Sequence, residues 1–208
     1  MGSEALPRVW FSKPLSRSVI RMVVDPPKVT GTSTGLGREL AELILEKGEI
    51  VVATARTPST LDALSSKYPA SRLLVQKLDI TDQQQIIDAF SKAKEVFGRL
   101  DIIVNNAGFG NLGEFEILDE GESRDVFETN VWGTLKVTKE AVRFLRDENP
   151  PGVGGRLWQM SSYLGLVGWS SLSMYSASKF GKHYVITVSS LAHARLFTLI
   201  GDSYRRHD

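Results

Sequence analysis

The chain has 208 residues, of which 42% are hydrophobic and 24% charged, and its 25 Lys+Arg stand against 24 Asp+Glu for a formal charge of +1. One globular domain is the expectation; a disordered or fibrous chain is excluded, and so near neutrality there is no bulk electrostatic footprint for nucleic acid. Cysteine is absent, and His183, His193 and His207 hold no helical metal spacing, so thiol nucleophiles, disulfides and a metal site are not expected, nor does any run reach membrane-span length.

From the glycine-rich stretch onward, apolar runs alternate with helix-period segments. Arg38 to Lys47 places Leu40, Leu43 and Ile44 at helical spacing, with Gly48 as a C-cap. Ile50 to Ala55 predicts a strand buried on both faces, as do Leu73 to Leu78 and Leu100 to Val104. Between the last two, Thr81 opens a helix with Gln84 as its capping box; Ile86, Ile87, Phe90 and Phe97 form the stripe and Gly98 closes it. A long helix follows from about Glu122 to Arg146, stopped by Asn149-Pro150-Pro151. Arg156 to Ser161 predicts a fifth strand, and Tyr184 to Val188 looks strand-like. Such alternation implies an α/β, three-layer, Rossmann-like fold with a parallel sheet and right-handed crossovers.

The strongest local signal is Thr30-Gly31-Thr32-Ser33-Thr34-Gly35-Leu36-Gly37, leading straight into the first helix. Without Cβ atoms the backbone can approach a pyrophosphate, and the amides and dipole of the helix start favour its charge. In open parallel sheets nucleotides bind outside the carboxyl ends of the strands. At those ends stand Arg56, a fixed cation suited to a 2′-phosphate, and Asp79, placed to accept from an adenine amino group or to serve as a helix-start residue beside Thr81. Arg56 where a carboxylate would hold a ribose favours NADP(H), as NADPH in reduction, over NAD(H). Asn105-Asn106-Ala107-Gly108 supplies amides and a bend at the same edge.

A second cluster is Tyr175-Ser176-Ala177-Ser178-Lys179. On a helix, i and i+4 share a face, so the ammonium stands by the phenol and is expected to lower its pKa toward working range. Ser162 lies thirteen positions earlier at the end of the fifth strand, and Asn130 sits within the long helix, where asparagine is a poor filler.

TGxxxGxG at 30–37, NNAG at 105–108, Asn130, Ser162 and YxxxK at 175–179 together resemble the short-chain dehydrogenase/reductase family, over roughly residues 29 to 180. The resemblance implies hydride transfer between a nicotinamide cofactor and a small-molecule carbonyl or alcohol. It makes Tyr175 the proton donor or acceptor, has Ser162 polarise the substrate oxygen, has Lys179 bind the nicotinamide ribose, and has Asn130 hold a water. Cofactor contacts are expected at Thr30, Gly31, Ser33, Gly35, Leu36, Gly37, Arg56, Asp79, Asn106, Ala107 and Gly108, as well as Tyr175 and Lys179. Phe109, Leu112, Leu164, Leu166, Val167 and Trp169 would flank an apolar substrate. In that family the long helix and the Tyr175 helix pair subunits, which leaves a homo-oligomer open.

Two stretches depart from the family. Pro26 and Pro27 cannot sit in the central strand expected before the glycine loop. Joining Val9-Trp10-Phe11 to Val29-Thr30-Gly31 restores strand and turn, making 12–28 an insertion; alternatively Ser18 to Val24 replaces the strand. The expected organisation is an atypical segment 1–28, a Rossmann-like domain 29–190 and a short tail 191–208, with the C-terminal strands incomplete because only 29 residues follow Lys179. A non-catalytic nucleotide-binding remnant is therefore the alternative function. Arg8, Lys13, Arg17 and Arg21, with no acid between Ala5 and Val24, give a weak likeness to a mitochondrial presequence; the cytoplasm is the expected compartment.

Overall fold

A computed structural model describes residues 9–12, 35–152, 155–188 and 195–199. Its centre is one parallel sheet of six strands: β1 (Val9–Ser12), β2 (Ile50–Ala55), β3 (Leu73–Lys77), β4 (Ile102–Asn105), β5 (Arg156–Met160) and β6 (Arg195–Leu199). They lie in the order β3-β2-β1-β4-β5-β6, with every pair parallel. The reversal of strand order beside β1 is the topological switch at which doubly wound sheets bind their ligands.

The middle strands are continuous apolar runs because both faces are covered. Val51 and Ala53 pack with Ala41, Ile44, Leu45, Leu61 and Leu64 on one side. Val52, Ile103 and Leu157 pack with Ile86, Phe90, Val137 and Phe144 on the other. On the first side lie α1 (Leu36–Glu46) and the short α2 (Asp62–Ser65). On the second lie α3 (Gln83–Phe97) and the long helix, with the Phe90 and Phe144 rings 5.6 Å apart. That helix runs as α4 (Glu120–Phe127), a π-helical turn over Glu128–Gly133, α5 (Thr134–Arg143) and a second π turn over Phe144–Glu148. Asn149, extended as the residue before a proline must be, ends it. Its buried amide accepts from Leu100 N–H at 3.1 Å and donates to Leu100 C=O at 2.7 Å.

Several expectations need correction. Val9–Ser12 holds the central seat, paired with Ile50–Ala53 on one side and Ile102–Val104 on the other, so Ser18 to Val24 does not replace that strand. Residues 13–34, with Thr30, Gly31, Ser33 and most of the expected insertion, lie outside the described residues. β1 and β6 fall beyond the 29–190 span drawn for the domain, yet both are hydrogen-bonded into its sheet. The cap of α3 is Asp82, whose carboxylate accepts from Gln84 and Gln85 N–H, because the Thr81 hydroxyl is spent on Asp79.

The last helix, α6 (Ser173–Val188), does not give way to a strand at Tyr184. Its buried stripe is Tyr175, Ser178, Lys179 and Lys182, while Phe180, Tyr184 and Val185 are exposed. The 3.6-residue period is present, but polar residues carry it, so an apolar pattern could not reveal it. Among the described residues no helix is long and apolar enough to cross a membrane.

Asn149→Ala leaves the buried Leu100 N–H and C=O without partners. Its unfolding free energy is expected to fall by about 2–4 kcal/mol, read as a lower urea midpoint at unchanged slope.

Candidate active site

The expected residues that lie within the described segments gather at the carboxyl edge of the sheet, where each strand turns into the next helix. α1 begins at Gly35, whose φ of 91° suits glycine, and among the described residues no side chain caps its first turn. Leu36 is its first residue and Gly37 is buried. The helix therefore presents uncapped amides at the end nearest the switch point.

At the ends of β2 and β3 stand Arg56 and Asp79. Burial lowers the Arg56 pKa, and attraction to Asp79 partly restores it. The Asp79 Oδ1 accepts from Thr81 N–H at 2.9 Å and the Thr81 hydroxyl at 2.8 Å, so one of its oxygens is committed to the turn. Asp79 thus shapes the turn at the helix start, and it lies close enough to Arg56 to act on its charge.

After β4 the two asparagines divide their work. Asn105 donates to Thr134 C=O at 2.9 Å and ties the strand to α5. Asn106 is fully buried, and among the described residues neither end of its side-chain amide meets a partner. Ala107 is buried. At Gly108 a Cβ would stand 2.7 Å from Asn130 Oδ1 and 3.3 Å from Lys179 Nζ, so only glycine lets the chain pass between them.

Asn130 lies in the π turn and is fully buried. Its Oδ1 accepts from Phe109 N–H at 2.9 Å, and its Nδ2 donates to Phe109 C=O at 2.7 Å and to Ser178 Oγ at 2.9 Å. Ser178 Oγ in turn donates to Tyr175 C=O at 2.7 Å. One side chain thereby clamps the loop after β4 to the helix that carries Tyr175 and Lys179. The sequence did not single out Ser178, although it lies inside the YxxxK spacing; Gly110, whose Cβ would come within 2.8 Å of the Tyr175 ring, carried no signal.

Tyr175 is 6% exposed, its hydroxyl hydrogen-bonded with Ser162, which also caps the 3₁₀ turn Tyr163–Gly165 through Leu164 N–H. Lys179 is fully buried, with Nζ 5.4 Å from the Tyr175 ring centroid and, among the described residues, no acceptor meeting it. The pairing of phenol and ammonium is as expected, but the direction at Tyr175 is not. Burial raises the phenol pKa, and the Ser162 hydrogen bond opposes it only in part. Burial also pulls Lys179 down to about 8, against an opposing contribution from Lys182. The ammonium is set over the ring rather than at the hydroxyl and does not offset the burial of the phenol.

Of the expected apolar flank, Leu164 is core, packed with Leu172 and Tyr175. Leu112, Leu166, Val167 and Trp169 are exposed, and Phe109 is half-buried. Lys179, Tyr175, Ser162, Asn130 and Gly108 therefore cluster together, while Arg56 and Asp79 lie apart at the ends of β2 and β3. The orphaned Lys179 ammonium and Asn106 amide, the close passage at Gly108 and the uncapped α1 fit a nicotinamide nucleotide, which offers hydroxyls, amide and phosphates to such groups.

Comparison with known proteins agrees. A family model described as short chain dehydrogenase matches residues 28–195. An uncharacterized oxidoreductase of Schizosaccharomyces pombe is 43% identical over 152 residues, covering 73% of this chain and 49% of that protein. Human 15-hydroxyprostaglandin dehydrogenase, whose name carries NAD(+), is 32% identical over 157 residues, covering 74% of this chain and 56% of that protein. The crystal structure of a short-chain dehydrogenase from Streptomyces avermitilis matches with a TM-score of 0.77 at 28% identity, covering 98% of this chain and 68% of that one. The chain spans about half the length of the curated relatives it matches.

The Lys179 shift makes stability depend on pH. Its pKa is about 8 folded against 10.5 ordinarily, so between these values the unfolded chain binds more protons and stability rises with pH. Between pH 7 and pH 10 the gain is expected to be about 2–3 kcal/mol, visible as the difference in denaturation profiles between the protein and Lys179→Met. The Tyr175 shift acts only above its ordinary value of 10.0 and with opposite sign, because there the folded state holds more protons.

Proposed function

The chain belongs to the short-chain dehydrogenase/reductase family, and on that premise we propose that it is an oxidoreductase moving a hydride between NADP(H) and an apolar carbonyl or alcohol. The observation that carries this reading is the convergence of Tyr175, Ser162 and a buried, acceptor-less Lys179 at the open edge of a parallel sheet.

The nicotinamide nucleotide supplies or accepts the hydride when bound. The remaining work falls to the chain. Tyr175, its pKa raised by burial, holds its proton at neutral pH and is thus in the state that carbonyl reduction requires of an acid. As the substrate oxygen gains negative charge, Tyr175 passes it the proton, and Ser162, hydrogen-bonded to the phenol, orients that transfer. Lys179 is assigned the ribose hydroxyls, which would supply the acceptors its ammonium lacks. A charge stabilised in this way then favours the phenolate left after transfer. Asn130 acts by position, since its amide is engaged with Phe109 and Ser178. Asn106 and the backbone at Ala107 are assigned to the adenosine side and the backbone at Gly108 to the ribose beside Lys179, with Gly35, Leu36 and Gly37 at the phosphates; Thr30, Gly31 and Ser33 complete that loop in this reading.

NADP(H) rather than NAD(H) rests on Arg56, a guanidinium that is half-buried and therefore partly stripped of water, at the strand end where a ribose is recognised. Attraction to Asp79 nearby opposes the effect of burial on it.

The test is NADPH consumption with a panel of ketones. Tyr175→Phe is expected to lower kcat by about 10²–10⁴-fold. Arg56→Ala is expected to raise the KM for NADPH by about 10–100-fold while leaving that for NADH nearly unchanged. NADPH binding without turnover would favour the non-catalytic remnant, and turnover indifferent to Tyr175→Phe would remove the proton-transfer assignment.

A further inference from the structure

Two loops flank the Tyr175 cleft. The loop after β4 packs Gly110 against the Tyr175 ring, and the segment after β5 packs Leu164 and Leu172 against the same residue. The first carries exposed Leu112, Phe115 and Ile117; the second carries exposed Leu166, Val167 and Trp169. A single residue joins them. Ser171 C=O accepts from Gly113 N–H at 3.0 Å, and Ser171 Oγ donates to Glu114 Oε1 at 2.8 Å. Among the described residues Ser171 is the only non-glycine with positive φ, at 60°.

That backbone region is disfavoured for a residue with a side chain, and it persists only where its surroundings hold it. Here the holding contacts both reach across to the opposite loop. A relaxed Ser171 would carry its carbonyl away from Gly113 and its hydroxyl away from Glu114. The loop after β4 is further held near its base, where Phe109 meets Asn130, where Gly110 lies against the Tyr175 ring, and where Asn111 Nδ2 donates to Ser123 Oγ at 3.5 Å. Beyond Asn111, among the described residues, the hydrogen bonds that reach this loop from another segment are those of Ser171.

We propose that Ser171 and Glu114 form a clasp that holds the apolar rims of these two loops together and gives the site its grip on bulky apolar carbonyl substrates. Ser171 is a positioning residue. The inference rests on the reading of Tyr175 as the group that meets the substrate oxygen. A small ketone reaches only Tyr175 and Ser162 and ignores the clasp; a ketone with a large apolar group spans both rims and needs it.

The experiment compares 2-butanone with 2-acetonaphthone as substrates, alongside hydrogen exchange at the Gly113 amide, in the protein and in Ser171→Ala, Glu114→Ala and Glu114→Gln. Losing the side-chain bond in either alanine variant is expected to speed Gly113 exchange and to raise the KM for 2-acetonaphthone, each about three- to tenfold. The kcat for both ketones and the KM for 2-butanone stay as they are, and Glu114→Gln, which keeps an acceptor oxygen, behaves as the parent protein. Unchanged exchange, an equal KM rise for both ketones, or failure of Glu114→Gln to preserve the parent behaviour would overturn the clasp. Absence of turnover by the parent protein with either ketone would instead strike the oxidoreductase reading, and the specificity role would fall with it.

Discussion

A lysine ammonium sealed away from water is the costliest group in this site, and the local architecture is organised around it. Burial brings Lys179 down to about 8, against an opposing contribution from Lys182. Among the described residues no acceptor offsets that cost. Its position is nevertheless fixed tightly: Gly108 passes so close that a methyl group would not fit, and the next side chain along that passage is Asn130. A fold gains nothing from such an arrangement by itself. It makes sense as a cavity wall prepared for a ligand whose hydroxyls complete it, with stability given up in the free protein for affinity in the loaded one.

The π turn at Glu128–Gly133 shows how the helix contributes. An asparagine in a regular helix competes with the backbone and is usually turned to solvent. One widened turn places Asn130 inward instead, where its amide joins the loop after β4 to α6. Such π turns recur at functional positions because they re-aim a side chain without ending the helix. The cluster around Lys179 and the Arg56–Asp79 pair then stand on opposite sides of the switch point, as a ligand with two chemically different ends requires.

How far the sequence could be read depended on what carried each signal. IVVATA and the Ile102–Asn105 run announced buried parallel strands because hydrophobicity was itself the pattern. NNAG, Asn130, Ser162 and YxxxK were legible as chemistry at matching spacing, and the chain folds so that Tyr175, Ser162, Lys179 and Asn130 converge. α6 past Phe180 was not legible, since Ser178, Lys179 and Lys182 hide its buried face behind polar residues. The Asp82 cap was displaced by one residue because Asp79 claims the Thr81 hydroxyl, a contact between side chains that spacing does not encode. The direction of the Tyr175 shift was missed for a similar reason: charge adjacency follows from i, i+4 geometry, but depth of burial does not. Nor could a serine in a left-handed backbone conformation at Ser171 be anticipated, because only the two loops together impose it.

The central claim is that Lys179 is a buried ammonium awaiting the hydroxyls of a nicotinamide nucleotide. Carbon-13 NMR of the protein with labelled lysine, titrated alone and with NADPH, tests it most directly. A Lys179 resonance titrating near 8 in the free protein, and moving upward when NADPH supplies acceptors, is the predicted result. Titration near the ordinary 10.5 in the free protein, or no response to the nucleotide, would contradict it.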